Sequence, residues 1–166
     1  MATTENAPKI QGLTDRELAA WRGLLITHAT LVKSLDQQLC REHDLPLSSY
    51  EVLMFVAEDG RMRMRDIADR ALLSRSGLTR LVDRLVRDGL LVRESVPEDA
   101  RGAFAVITPA GRALLDRARA THYAGIRELF LSQLSDEEQD QLGALFDRVL
   151  TSGGVEDLRG MCPKGE

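Results

Sequence analysis

The chain carries little that disulfide, metal or nucleophilic chemistry could use. It has two cysteines, Cys40 and Cys162, and three histidines in 166 residues. Two cysteines give no disulfide framework, and Cys162 falls in a tail of Gly and Pro. The metal-liganding types His28, Cys40, Glu42, His43 and His122 lack the dense spacing of a built site, so no metal and no cofactor is expected. The one Gly-Gly pair, at 153–154, lies past the last helical pattern, and no phosphate-cradling or dinucleotide fingerprint appears. Together these absences argue against an enzyme. No apolar run approaches the ~20 residues that would span a membrane, and MATTENAPK has no apolar segment of a secretion signal. The expectation is a cytoplasmic protein without a membrane partner.

Lysine is also scarce: 19 of the 22 basic residues are Arg, whose planar fork suits phosphates and guanine edges. The net charge of −4 is unevenly distributed. Residues 61–102 hold ten Arg against seven Asp and Glu, a net of +3, while the rest of the chain carries −7. Local potential governs docking on phosphate, so a basic module on an acidic body is compatible with DNA.

The helix signals are local and frequent. Thr14-Asp15-Arg16-Glu17 is a capping box. The helix behind it keeps an apolar period through Leu18, Trp21, Leu25, Ala29, Val32, Leu35 and Leu39, about seven turns. Ser48-Ser49-Tyr50-Glu51 reads as a second capping box, opening a helix that ends near Gly60. A basic segment, Arg61 to Arg65, leads to a third helix over 66–72. Ser74 caps a fourth helix that runs to Gly89. Residues 90–94 and 103–107 read as strands around a turn with Pro97 and Gly102. Thr108-Pro109 starts a fifth helix extending to about Ser132. A third capping box, Ser135 to Glu138, opens the last, with the stripe Leu142, Leu145, Phe146 and Val149.

A capped basic helix followed by a two-stranded hairpin describes a winged helix-turn-helix, whose helix enters the DNA major groove while the hairpin reaches a neighbouring groove. The expected class is mainly α with a small β-hairpin wing, its core flanked by N- and C-terminal helices. Those helices would leave apolar stripes exposed in a monomer, which points to a symmetric homodimer.

Ser74 as N-cap places Arg75, Ser76, Thr79 and Arg80 on the first turns of the fourth helix, with Ser76, Thr79 and Arg80 on one face. Leu78, Leu81, Val82 and Leu85 form the other face. Arg80 is the candidate for bidentate readout of guanine. Arg75 is placed for phosphate, and Ser76 and Thr79 are small enough to let the helix sit deep. Arg101 near the hairpin tip can enter a minor groove. Asp99, which phosphate would repel, is read as orienting Arg101 or Arg84.

These residues resemble the MarR-type transcriptional regulators from about Thr14 to Leu150. The pattern comprises Ile67-Ala68, the recognition helix Ser74 to Thr79-Arg80, Leu81, Asp83 and Leu85 before Gly89-Leu90, and a wing with Asp99, Arg101, Ile107-Thr108 and Gly111. The resemblance implies a dimeric repressor of a palindromic operator in double-stranded DNA, released by a small ligand or by oxidation, with half-sites ~10 bp apart. It divides the chain into a disordered extension over 1–13, one winged domain over 14–152 and a flexible tail over 153–166. Within the domain, dimerisation helices about 14–43 and 109–151 flank a DNA-binding core about 48–108. Two positions depart from the pattern: Arg63 replaces a helix-capping Thr or Ser, and Leu72 replaces a turn Gly.

A small aromatic or phenolic effector between the dimer helices and the winged core would meet Trp21, Arg22, His28 and Tyr50. An alternative is redox response at Cys40, whose thiol Arg41 could acidify slightly; another is a helical adaptor that has lost DNA binding. The operator, the target genes and the effector are not written in any motif.

Overall fold

The computed structural model describes residues 12–96 and 99–152, without the side chains of residues 96–102. The expected N-terminal extension, the C-terminal tail with Cys162, and the turn at Pro97 lie outside the described residues. The element order is α1 (Asp15–His43), α2 (Leu47–Asp59), β1 (Arg61–Arg63), α3 (Met64–Arg70), α4 (Arg75–Arg87), β2 (Leu91–Val96), β3 (Asp99–Ile107), α5 (Pro109–Leu129) and α6 (Asp136–Ser152), with a short 3-10 turn, Leu131–Gln133, before α6. The three strands form one antiparallel sheet in the order β1-β3-β2. This is the winged helix-turn-helix expected from the sequence.

The core is built around α2. Tyr50, Val52, Leu53, Phe55 and Val56 are all buried, and a helix that is apolar on every side must be surrounded. The C-terminal half of α1 covers it through Leu35 and Leu39, and α5 adds Leu115 and Ala118 to the same cluster. Ile67 and Ala68 of α3 and Leu78, Val82 and Leu85 of α4 complete it.

Two expected capping boxes form. Thr14 and Glu17 bond reciprocally at the head of α1, and Ser135 and Glu138 do so before α6. The one expected at Ser48 does not. Helix α2 begins two residues earlier, behind Pro46, and its first N–H, that of Leu47, donates to Asp36 Oδ1 of α1 at 2.8 Å. A side chain distant in sequence satisfies this orphan donor, and the Pro46 carbonyl accepts from the Ser49 and Tyr50 N–H groups. The basic segment also differs from expectation. Arg61–Arg63 forms a third strand against β3, and α3 starts at Met64 rather than Asp66. Arg63 is the N-cap of α3, and its side chain does not cap the helix.

The start of α5 is fastened to the end of the helix-turn-helix. Thr108 Oγ1 accepts from the Gly111 N–H and donates to the Gly89 carbonyl at 2.7 Å. The Thr108 N–H donates to the Leu90 carbonyl at 3.1 Å. Gly111 makes this approach possible, because a Cβ there would overlap the Leu90 carbonyl oxygen.

Leu72, in the turn between α3 and α4, takes a left-handed φ of 53° while remaining 70% exposed. A Cβ in that conformation costs roughly 1–2 kcal/mol, and so exposed a side chain recovers little by burial. Leu72→Gly should therefore stabilise the protein by about 1 kcal/mol, raising Tm by roughly 2–4 °C. Thermal denaturation followed by circular dichroism measures this directly; a lower Tm would mean that the leucine side chain stabilises the turn.

Candidate nucleic-acid interface

Helix α4 is divided along its length by burial. Leu78, Val82 and Leu85 are buried, while Ser74, Arg75, Ser76, Thr79, Arg80, Arg84 and Arg87 are exposed. Ser74 Oγ caps the helix by accepting from the Gly77 N–H at 3.1 Å and lies 3.4 Å from Ser76 Oγ. Thr79 Oγ1 donates back to the Arg75 carbonyl at 2.9 Å. That bond commits its proton, so in this rotamer Thr79 offers outward a methyl group and acceptor lone pairs rather than a donor for phosphate.

One contact ties α4 to the hairpin, and others fasten the elements around it. Asp83 Oδ1, on the helix, pairs with Arg93 Nη1 of β2 at 2.8 Å. Both side chains are substantially exposed, so the pair contributes little to stability; what it does is tie the hairpin to the helix. Arg70 of α3 pairs with Glu58 at 2.6 Å and with Asp59 at 3.5 Å, its guanidinium 4.5 Å from the centre of the Phe55 ring. That fixes α3 on the end of α2. Arg112 of α5 donates to the Ala57 carbonyl at 2.9 Å.

Sequence reasoning missed Arg93 and Arg70 as positioning residues. Arg93 gives a faint signal, standing two residues after Leu91 on the strand face that meets the helices. Arg70 gives none, because its partners come from a different helix. The backbone of Asp99 and Arg101 lies in β3, and their side chains fall outside the described residues.

The four residues expected around an effector are dispersed. Trp21 and Arg22 lie on the fully exposed N-terminal half of α1. Tyr50 is a core residue, its ring 4.7 Å from that of His122 on α5. Burial foremost, with Tyr123 beside it, pushes the Tyr50 phenol up to about 12. Burial also holds the His122 imidazole below its usual value. His28 borders a groove of about 420 Å³ between α1 and α2 whose walls include Val32, Lys33, Asp36, Leu47 and Glu51. Cys40 is half-buried, and burial, then the carboxylates of Asp36 and Asp44, push its thiol up. The acidifying influence expected from Arg41 is absent from that balance; Arg41 pairs with Glu42 at 3.2 Å. A raised thiol pKa is the opposite of what a redox-sensing cysteine needs. Among the described residues no group of His, Cys, Asp and Glu could hold a metal ion, and no helix is long and apolar enough to cross a membrane.

A recognition helix with one exposed polar face, braced by a three-stranded wing sheet, defines a winged helix-turn-helix DNA-binding protein. Residues 43–102 match the MarR family. The chain is similar to YkoM, an HTH-type transcriptional regulator of Bacillus subtilis (strain 168), with 32% identity over 138 residues, 81% of this chain and 89% of that one. It is 29% identical over 124 residues to the homoprotocatechuate degradative operon repressor of Escherichia coli, covering 74% of this chain and 83% of the repressor. Among solved structures it resembles Sco3205, a MarR family transcriptional regulator from Streptomyces coelicolor in complex with DNA, with a TM-score of 0.80 and 34% identity over 87% of this chain and 91% of that one. The chain belongs to the MarR family of DNA-binding transcriptional regulators, which are not enzymes.

Proposed function

We propose that this regulator is a homodimeric repressor that reads a palindromic operator in double-stranded DNA through α4, with the wing in the adjacent groove. The observation carrying the reading is the exposed face of Ser76, Thr79, Arg80 and Arg84, held rigid by the buried Leu78, Val82 and Leu85 behind it. Arg80 reads a guanine edge, and the Thr79 methyl is suited to a thymine methyl. Arg75 and Arg84 contact phosphates, and Ser74 serves as the cap that sets the helix start. In the wing, Arg101 enters the minor groove and Asp99 orients it. Arg80→Ala should lose about 1–3 kcal/mol against the preferred site and relax preference at one base pair. Fluorescence anisotropy on duplexes from the DNA flanking its own gene, with excess nonspecific competitor, measures both. An unchanged preference in Arg80→Ala would remove the base-reading role.

The dimer reading rests on unpartnered apolar surface. Trp21, Leu24, Leu25 and Ile26 of α1 and Leu145, Phe146, Val149 and Leu150 of α6 are all exposed in the single chain. Two helices with such stripes at opposite ends of the sequence suit interleaving with their mates, with α5 alongside. Val149→Glu should shift sedimentation equilibrium at micromolar concentration from dimer toward monomer; a wild-type protein that is already monomeric would sink the reading.

For the effector, the groove at His28 favours a small aromatic acid. Its volume is within the range of small-molecule sites, His28 and Lys33 can meet a carboxylate, and Val32 and Leu47 offer apolar walls. The name of the Escherichia coli relative, a repressor for degradation of an aromatic acid, supports the same class. Titration with salicylate-like acids should lower DNA affinity, and Lys33→Ala should blunt the effect. No change in DNA affinity would count against this site.

A further inference from the structure

The strand β1 was not foreseen, and it carries a basic pair that the recognition helix does not use. In the β1–β3 register Arg61 faces Val106, Met62 faces Ala105 and Arg63 faces Phe104. Facing residues share a side of the sheet. Ala105 is fully buried and Met62 packs on the core, so Arg61, Arg63, Phe104 and Val106 lie on the outer side. There the guanidinium carbon of Arg61 sits 4.8 Å from the centre of the Phe104 ring, and that of Arg63 sits 5.1 Å from it.

The position of Arg61 is informative. Its backbone is opposite Val106, yet its guanidinium lies at Phe104, two residues closer to the hairpin turn. The ring attracts both cations through its quadrupole and gathers two like charges in one place. Three other arginines in this part of the chain are matched: Arg65 pairs with Asp66, Arg70 with Glu58 and Asp59, and Arg93 with Asp83. The Arg61 side chain makes no ion pair or hydrogen bond among the described residues. Glu94 faces Phe104 from β2 on the same side, and it does not pair with Arg61. A concentrated positive site with an unmatched Arg calls for an anion from outside the chain. The site is displaced toward the wing turn, and β1 runs directly into the first turn of α3 at that same end.

We propose that Arg61 and Arg63, gathered on Phe104, form a second phosphate-binding surface that holds the DNA backbone beside the wing. This rests on the operator-binding reading above. Held by a ring and without base-reading geometry, the pair adds affinity for any sequence rather than selectivity. A guanidinium fixed in advance also loses less freedom when it meets a phosphate fork.

The test is the salt dependence of binding. Anisotropy titrations between 50 and 300 mM NaCl would compare wild type, Arg61→Gln, Arg61→Lys, Phe104→Leu and Arg80→Ala on the preferred duplex and on a scrambled one. Arg61→Gln should weaken both duplexes about three- to tenfold at 150 mM, and lower the slope of log K against log[NaCl] by about one per protomer. The ratio between the two duplexes should stay at the wild-type value. Arg61→Lys should restore the slope. Phe104→Leu, which releases both guanidiniums, should weaken binding while the slope stays near wild type. A wild-type slope and affinity in Arg61→Gln, with Arg80→Ala still losing its preference, overturns this proposal and leaves the operator reading intact. A changed duplex ratio in Arg61→Gln overturns it as well, because the site would then read sequence. Failure of the wild type to prefer any duplex overturns the operator reading and this proposal together.

Discussion

Helix α2 cannot exist alone in water. With Tyr50, Val52, Leu53, Phe55 and Val56 buried around its circumference, it needs neighbours on every side, and the fold is the arrangement that supplies them. Helix α1 contributes its last turns, α5 a face running from Leu115 to Ile126, and α3 and α4 close the remaining side. The parts of α1 and α6 that are not recruited to this task keep their apolar residues in the open. The same requirement thus produces a tightly packed winged core and, as its remainder, the surfaces available to a second copy.

Around that post, electrostatics sets direction more than stability. Asp83 to Arg93, Arg70 to Glu58 and Arg65 to Asp66 are surface or half-buried pairs, each contributing modestly. Their value is geometric. They fix α3 against α2 and the hairpin against α4, so the cations left on the exposed face hold defined positions relative to one another. Within the basic module Asp66 and Asp83 are committed to such internal pairs.

Legibility followed the range of the interaction. Thr14 with Glu17, Ser135 with Glu138, and Thr108 with Pro109 act within four residues, and the helices start where those signals stand. The division of α4 into Leu78, Val82 and Leu85 against Ser76, Thr79 and Arg80 was equally readable, because it is a periodicity. Ser48 misled because the helix starts before it: Pro46 is the N-cap, and the Leu47 N–H is met by Asp36, eleven residues earlier, so Ser48 lies inside the first turn. The strand Arg61–Arg63 was invisible because three residues carry no period of their own; β3 makes them a strand by pairing. Tyr50 was placed at a ligand site from its type, whereas its position on α2 sends it into the core. Arg93 and Arg70 escaped notice because their partners lie on other elements.

The junction at Thr108 has a mechanical meaning. One end of α5 is bolted to the Gly89 and Leu90 carbonyls just past the recognition helix. Its 21 residues carry the other end about 30 Å away. Such a rod acts as a lever with little play at the bolted end. If mates are joined at its far end, a tilt of about 5° there displaces the reading head by about 3 Å over that length, close to the rise of one base pair. In such a dimer, small adjustments among the outer helices would be geared up into a change of register on the duplex.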